Sequence, residues 1–262
     1  MSRNNREDNR AASVRTNSGK FRATAALPFA VLFLAAGAIL SGQRGIPEPP
    51  LRIPTDVAWT GETLAIISKG DAFRGLLLAR RCGHCHGLEG FSAAPTIPNL
   101  AGIDPSSFWK QMEDFKSGKR VSAVMQEVAI RSLARDSADL AVYYSMLPTG
   151  SDSQDERSFP QAMRDSSHAS MAIELILFGD GRRGIPPCQA CHGPVGSVKG
   201  APSLTTQNAD YLLEQLNGFA HGDRANDINV RMRSIARQLT DQERTALAEY
   251  YGAGLGPDTS AW

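Results

Sequence analysis

The sequence predicts an all-α protein: two helical domains in tandem, preceded by an N-terminal transmembrane helix. Three observations predict it. The chain repeats itself internally, the repeated segments carry apolar residues at helical spacing without a strand-like alternation, and one uncharged apolar run lies near the start. At 262 residues there is room for two small domains. With 42% hydrophobic and 21% charged residues the chain can bury cores, so disorder throughout is excluded. The 28 basic and 27 acidic residues nearly cancel, which gives no basic surface for nucleic acid.

Residues 1–24 form a basic leader, with Arg3, Arg6, Arg10, Arg15, Lys20 and Arg22 against Glu7 and Asp8. The apolar run Ala25–Ser41 follows, at the short end of the roughly 17–25 residues that span a bilayer. Positive residues stay in the cytoplasm, so the rest of the chain is expected outside it. The run reads as an uncleaved anchor, because it continues past Ala36-Gly37-Ala38 and its leader is long. A signal peptide cut at that small-residue site is the alternative. Without the leader, 22 basic and 25 acidic residues remain, so the exported part is mildly acidic.

Residues 42–70 are expected to form a tether, rich in Pro and Gly up to Pro54 and ambiguous beyond it. A first domain is then expected over 71–148, a polar linker over 149–167, a second domain over 168–256 and a tail over 257–262. The repeat defines the two domains. Cys82-Gly83-His84-Cys85-His86-Gly87 answers Cys188-Gln189-Ala190-Cys191-His192-Gly193. Pro98 answers Pro202, and Gln111, Phe115, Gly118 and Arg120 answer Gln215, Phe219, Gly222 and Arg224 at one offset. Met125 answers Met232 after a three-residue insertion in the second copy. Tyr143 and Tyr144 answer Tyr250 and Tyr251. Each copy reads as a helix before the cysteine pair, a middle helix and a last helix. Ser106 and Asn208 are the expected N-caps of the middle helices, and Gly118 and Gly222 their stops.

The spacing C-x-x-C-H is the attachment signature of c-type haem. Two thiols three residues apart share one side of a helical turn and can both bond one porphyrin. The histidine that follows is then placed as an iron ligand. A zinc site built from the four cysteines would not require His86 and His192, nor a domain repeated around each pair. Disulfides in such tight loops would staple little, and a thioredoxin-like site wants a βαβ setting. Two covalently bound c-type haems are therefore expected, through Cys82 and Cys85 and through Cys188 and Cys191, with His86 and His192 on the irons.

A sixth ligand or an open site completes each iron. Met125 lies 39 residues after His86, and Met232 lies 40 after His192, so this matched pair is the expected second ligand. Met112 answers Leu216 and reads as core, and Met146 answers no methionine. His84, His168 and His221 read as exposed. Arg120 and Arg224 read as solvated helix-end residues, with haem propionates as the alternative partners. The four tyrosines read as packing between the first and last helices.

These motifs resemble the tandem dihaem class I cytochromes c of the c-four type. The residues that carry the resemblance are CGHCHG, PNLAG and QMEDFKSGKR with Met125, then GIPPCQACHGP, GAPSL, YLLEQLNGFAHGDR with Met232, and LAEYYG. The resemblance covers about residues 71–256. It implies two facing haem domains and a periplasmic electron carrier, not an enzyme. It also implies that the carbonyls of Pro98 and Pro202 fix the histidine rings. With the anchor, it implies a protein of the bacterial inner membrane whose haem domains face the periplasm. The expected partners are redox proteins: a membrane donor, and a terminal oxidase or a dehydrogenase. A cytochrome subunit of a membrane-bound dehydrogenase complex is the second reading. A haem enzyme is a third, and two methionine ligands count against it.

Overall fold

A computed structural model describes residues 54–149, 167–193, 198–205 and 207–254. The described residues lie within one compact unit, 47–262. They contain helices and no strand, apart from an isolated bridge between Asp180 and Ile185. Among them no helix is long and apolar enough to cross a membrane. The leader, the expected 25–41 anchor, most of the linker and the tail lie outside the described residues.

The first helix, α1 (Gly61–Ser68), corrects part of the expected 42–70 tether. Thr60 caps it by accepting the Thr63 amide at 3.1 Å. Ile67 is buried with Trp109 and Ala138. Upstream, the Thr55 hydroxyl donates to Asp114 at 2.5 Å, and Asp56 pairs with Lys119 at 3.1 Å. Eight residues are too few to make a stable helix alone. Packing stabilises this one, and sequence periodicity does not report packing.

Helix α2 (Ala72–His86) starts where Asp71 accepts the amides of Phe73 and Arg74 at 2.9 and 3.1 Å. It runs unbroken through the cysteine pair, and Gly87, at φ 78°, ends it. Helices α3 (Pro105–Lys116), α4 (Ala123–Arg131) and α5 (Ala134–Ser145) complete the first half. The N-cap of α3 is Asp104, which accepts the Ser107 amide at 2.9 Å, and not the expected Ser106. Pro105, which lacks an amide proton, suits the first helical position. Helix α2 crosses α5 closely at Gly75, where a β-carbon would stand 2.2 Å from the Asp139 carbonyl. Phe108, Met112, Phe115, Leu140 and Tyr144 fill the core between them.

The second half repeats the plan: α6 (Ser167–Leu177), the short α7 (Gln189–His192), α8 (Ala209–His221), a 3-10 turn (Ile228–Val230), α9 (Arg231–Gln238) and α10 (Asp241–Gly252). Gly222, left-handed at φ 86°, stops α8 as expected. Thr240 and Glu243 form a capping box on α10. Leu175, Ile176, Ile185, Leu212, Leu247 and Tyr251 lie in its core. Fully burying each large side chain contributes about 1.5–3 kcal/mol.

Candidate functional site

Both cysteine pairs, His86, His192, Met125 and Met232 line one continuous cavity of about 1320 Å³. An ordinary small-molecule pocket is about 300–1,000 Å³. The four thiols are free, so neither pair is a disulfide.

The two histidines are held alike. The His86 ring meets the Pro98 carbonyl through Nδ1 at 2.8 Å, and the His192 ring meets Pro202 at 2.7 Å. A carbonyl only accepts, so Nδ1 carries the proton and Nε2 keeps its lone pair for a metal. Burial lowers the pKa of both rings, against the raising effect of those carbonyls. The neutral form, which ligates, is favoured in each. Burial also raises the Cys82 thiol and pushes Cys188 up to about 11.

The methionines stand at matching places. Met125 lies in the first turn of α4, where Ser122 accepts its amide at 3.3 Å. Met232 lies in the first turn of α9. The three-residue insertion of the second copy falls just before it. There Asn229 and Val230 are left-handed at φ 53° and 60°. A β-branched residue in that region is strained. The buried Asp227 holds the bend by accepting from the Arg233 side chain and amide, at 2.7 and 2.9 Å. Met112 is core, 4% exposed, and Met146 is 70% exposed, so neither competes. His84 and His221 are exposed, and His168 pairs with Glu249 at 3.0 Å.

Two further features mark the cavity as built for a prosthetic group. The Tyr144 and Tyr251 hydroxyls are buried and find no hydrogen-bond partner among the described residues. They lie beside Cys82 and Cys188 respectively, and burial pushes both strongly up in pKa. An unsatisfied buried hydroxyl costs about 1–3 kcal/mol. The same unpaired hydroxyl in both repeats fits a group anchored at the neighbouring thiols. The donor set of two thiols, an imidazole and a thioether is that of a covalently held haem.

The arginines do not lie in solvent as expected. Arg120 donates to Gln111 at 2.8 Å, Tyr211 at 2.7 Å and Gln215 at 3.0 Å. Arg224 donates to Gln215 at 2.8 Å and Gln111 at 3.3 Å. Each arginine also covers its own half's phenylalanine, Phe115 or Phe219. Burial and the nearby Arg120 charge hold Arg224 well below the usual arginine range. The network joins the halves with near two-fold symmetry. Lys110 breaks that symmetry, bonding Asp114 and the Asn226 carbonyl, each at 2.5 Å. The partners from opposite halves face each other only once the halves meet, so no sequence spacing announces them.

No family model matches the chain. Individual relatives do. It is 38% identical over 176 residues to a thiosulfate dehydrogenase electron acceptor of Stutzerimonas stutzeri, spanning 66% of this chain and 78% of that one. It is 34% identical over 185 residues to a cytochrome c4 of Pseudomonas aeruginosa, spanning 69% and 87%. The reduced cytochrome c4 of Pseudomonas stutzeri superposes with a TM-score of 0.61 at 31% identity, over 71% of this chain and 99% of that one. The chain belongs to the cytochrome c4 family. As a c4-type cytochrome it carries electrons and holds two covalent c-type haems. The cavity, the histidine geometry and the orphaned tyrosines fit that assignment.

Proposed function

We propose that Cys82 and Cys85 bond the first haem and Cys188 and Cys191 the second, with His86 and Met125, and His192 and Met232, as the axial ligands. The carrying observation is the doubled histidine geometry. In each half Nδ1 is committed to a proline carbonyl, at 2.8 and 2.7 Å, in a cavity lined by that half's methionine. Each haem, when bound, supplies an iron that takes up and gives up one electron. The chain's residues do the rest. Pro98 and Pro202 orient the rings, and burial keeps them neutral. With Met125 and Met232 as the second ligands, each bound iron would have a raised reduction potential and no position open to small ligands. Phe115, Phe219 and the buried core keep water away.

The two haem domains are residues 71–148 and 168–256, joined by 149–167. Residues 25–41 anchor them to the bacterial inner membrane from the periplasmic side, and 42–53 serve as the tether. The leader's positive charge supports that orientation. The partners are a membrane donor and a redox acceptor. A second role, as the electron-accepting subunit of a dehydrogenase, is supported by the relative that is a thiosulfate dehydrogenase electron acceptor.

The test is a carbon monoxide difference spectrum of the reduced full-length protein. The wild type is expected to show no change. Met125→Ala and Met232→Ala should each open one iron to carbon monoxide. A wild-type response, or variants indistinguishable from it, would overturn the ligand assignment. Reduction of the cytochrome by a thiosulfate dehydrogenase supplied with thiosulfate tests the second role.

A further inference from the structure

Each half lends the start of a helix to the other half's histidine loop. The α3 terminus sits on the loop that holds Pro202, where Ser106 Oγ accepts the Gly200 amide at 3.0 Å. The α8 terminus sits on the loop that holds Pro98. There Asn208 donates to the Ile97 and Ala94 carbonyls at 2.7 and 3.3 Å, and Gln207 accepts the Asn99 amide at 2.7 Å. The two N-caps, Asp104 and Asn208, are equivalent positions of the repeat.

They differ in charge. Asp104 Oδ1 accepts from the Ser107 amide and the Ser106 hydroxyl, at 2.9 and 2.5 Å. Its Oδ2 is buried without a partner among the described residues. Through the Ser106 hydroxyl this carboxylate is tied to the Gly200 amide, two residues before the Pro202 carbonyl that holds His192. The loop behind the second histidine therefore meets a carboxylate where the loop behind the first meets an amide.

We propose that Asp104 sets the two haems apart in potential, its carboxylate stabilising the oxidised iron behind His192 across the domain interface. Oxidised iron carries one more positive charge than reduced iron. A nearby anion in a poorly solvated site therefore favours the oxidised state. Asp104 is a tuning residue: it belongs to one domain and acts on the haem of the other. This rests on the ligand assignment proposed above.

The experiment is a spectroelectrochemical titration of the full-length holoprotein and its variants, after the haem count per chain has been checked. Asp104→Asn and Asp104→Ser remove the charge and keep a good N-cap. Met125→His identifies the first haem's wave by moving it alone. Each Asp104 variant should shift the second haem's reduction equilibrium about threefold to tenfold toward the reduced state, about 30–60 mV at 59 mV per tenfold. The first wave should stay in place. If Met125→His moves neither wave, the ligand assignment fails. If it moves one wave but the Asp104 variants move neither, or move both equally, Asp104 is a cap only and the inference is overturned.

Discussion

The two halves reach one end-state by different local routes. In the first, a 15-residue helix carries the cysteine pair and the histidine to its last residue. In the second, the chain leaves α6 at Gly179, turns through the Asp180–Ile185 bridge and re-enters as a four-residue helix. Pro186 and Pro187 forbid a continuous helix there. Yet the histidine rings end 2.8 and 2.7 Å from their proline carbonyls. A long helix is therefore not what fixes the ring. The carbonyl contact and the packed core fix it, so the local support was free to diverge.

The methionine side diverges further, and it offers the sharpest way to break the comparison. The first half holds Met125 with a serine cap, while the second holds Met232 with the buried pair of Asp227 and Arg233 and a strained bend. Asp227→Ala removes the buried ion-pair partner of Arg233, at an expected cost of about 3–5 kcal/mol. Ser122→Ala should cost about 1 kcal/mol. Denaturant titration gives both values. Hydrogen exchange should show the Asp227 variant opening in the second half alone. Equal costs would mean that the two methionine loops are supported alike.

The last helices differ in which element grips their first turn. In the first half, Arg74 from α2 pairs with Asp136 and Asp139. In the second, Arg183 from the loop after α6 pairs with Asp180 at 2.7 Å and Glu243 at 2.6 Å. The Arg183 guanidinium, aided by the Thr240 amide, holds Glu243 below the usual carboxylate range. A depressed carboxylate binds fewer protons folded than unfolded. Its contribution is thus full above the unfolded value, about 4.5 or lower, and is lost as pH falls through the folded value. Glu243→Gln should cost about 1 kcal/mol at pH 7 and nothing at strongly acidic pH, read from unfolding midpoints across pH. A gap that persists in acid would assign the cost to packing instead.

The smallest effect is expected at Val230. Replacing it by Gly relieves a left-handed β-branched residue, worth about 1 kcal/mol, against some lost packing. A slight rise in the melting temperature should follow. A clear fall would show that the Val230 side chain stabilises the Met232 loop more than its backbone strains it.

Much of the site was legible in the chain. The thiol spacing, the adjacent histidines and the matched methionines lie at short or repeated intervals, and the structure brings them to one cavity. Tyr144, Tyr250 and Tyr251 are buried as expected. The middle-helix stops were also legible, since Gly118 and Gly222 adopt positive φ. The α3 cap was misplaced by two residues, because Asp104, Ser106 and Ser107 all carry capping chemistry or neighbour it. Only backbone geometry chooses among them. The 15-residue span of α2 was also missed, because a cysteine motif with an internal glycine carries no helical periodicity.

The sequence by itself determined the chemistry: two haem-binding motifs, the candidate ligands, the repeat and the helical class. Covalent attachment and helical periodicity act over a few residues, so they are written locally. The tertiary structure alone decided how the halves address each other. It joins Arg120 and Arg224 in one network, folds 61–68 onto Trp109, and seats the start of α3 on the Pro202 loop and the start of α8 on the Pro98 loop. Those relations depend on which surfaces meet in space, because charge, burial and hydrogen-bond satisfaction are properties of neighbours that the chain does not place side by side.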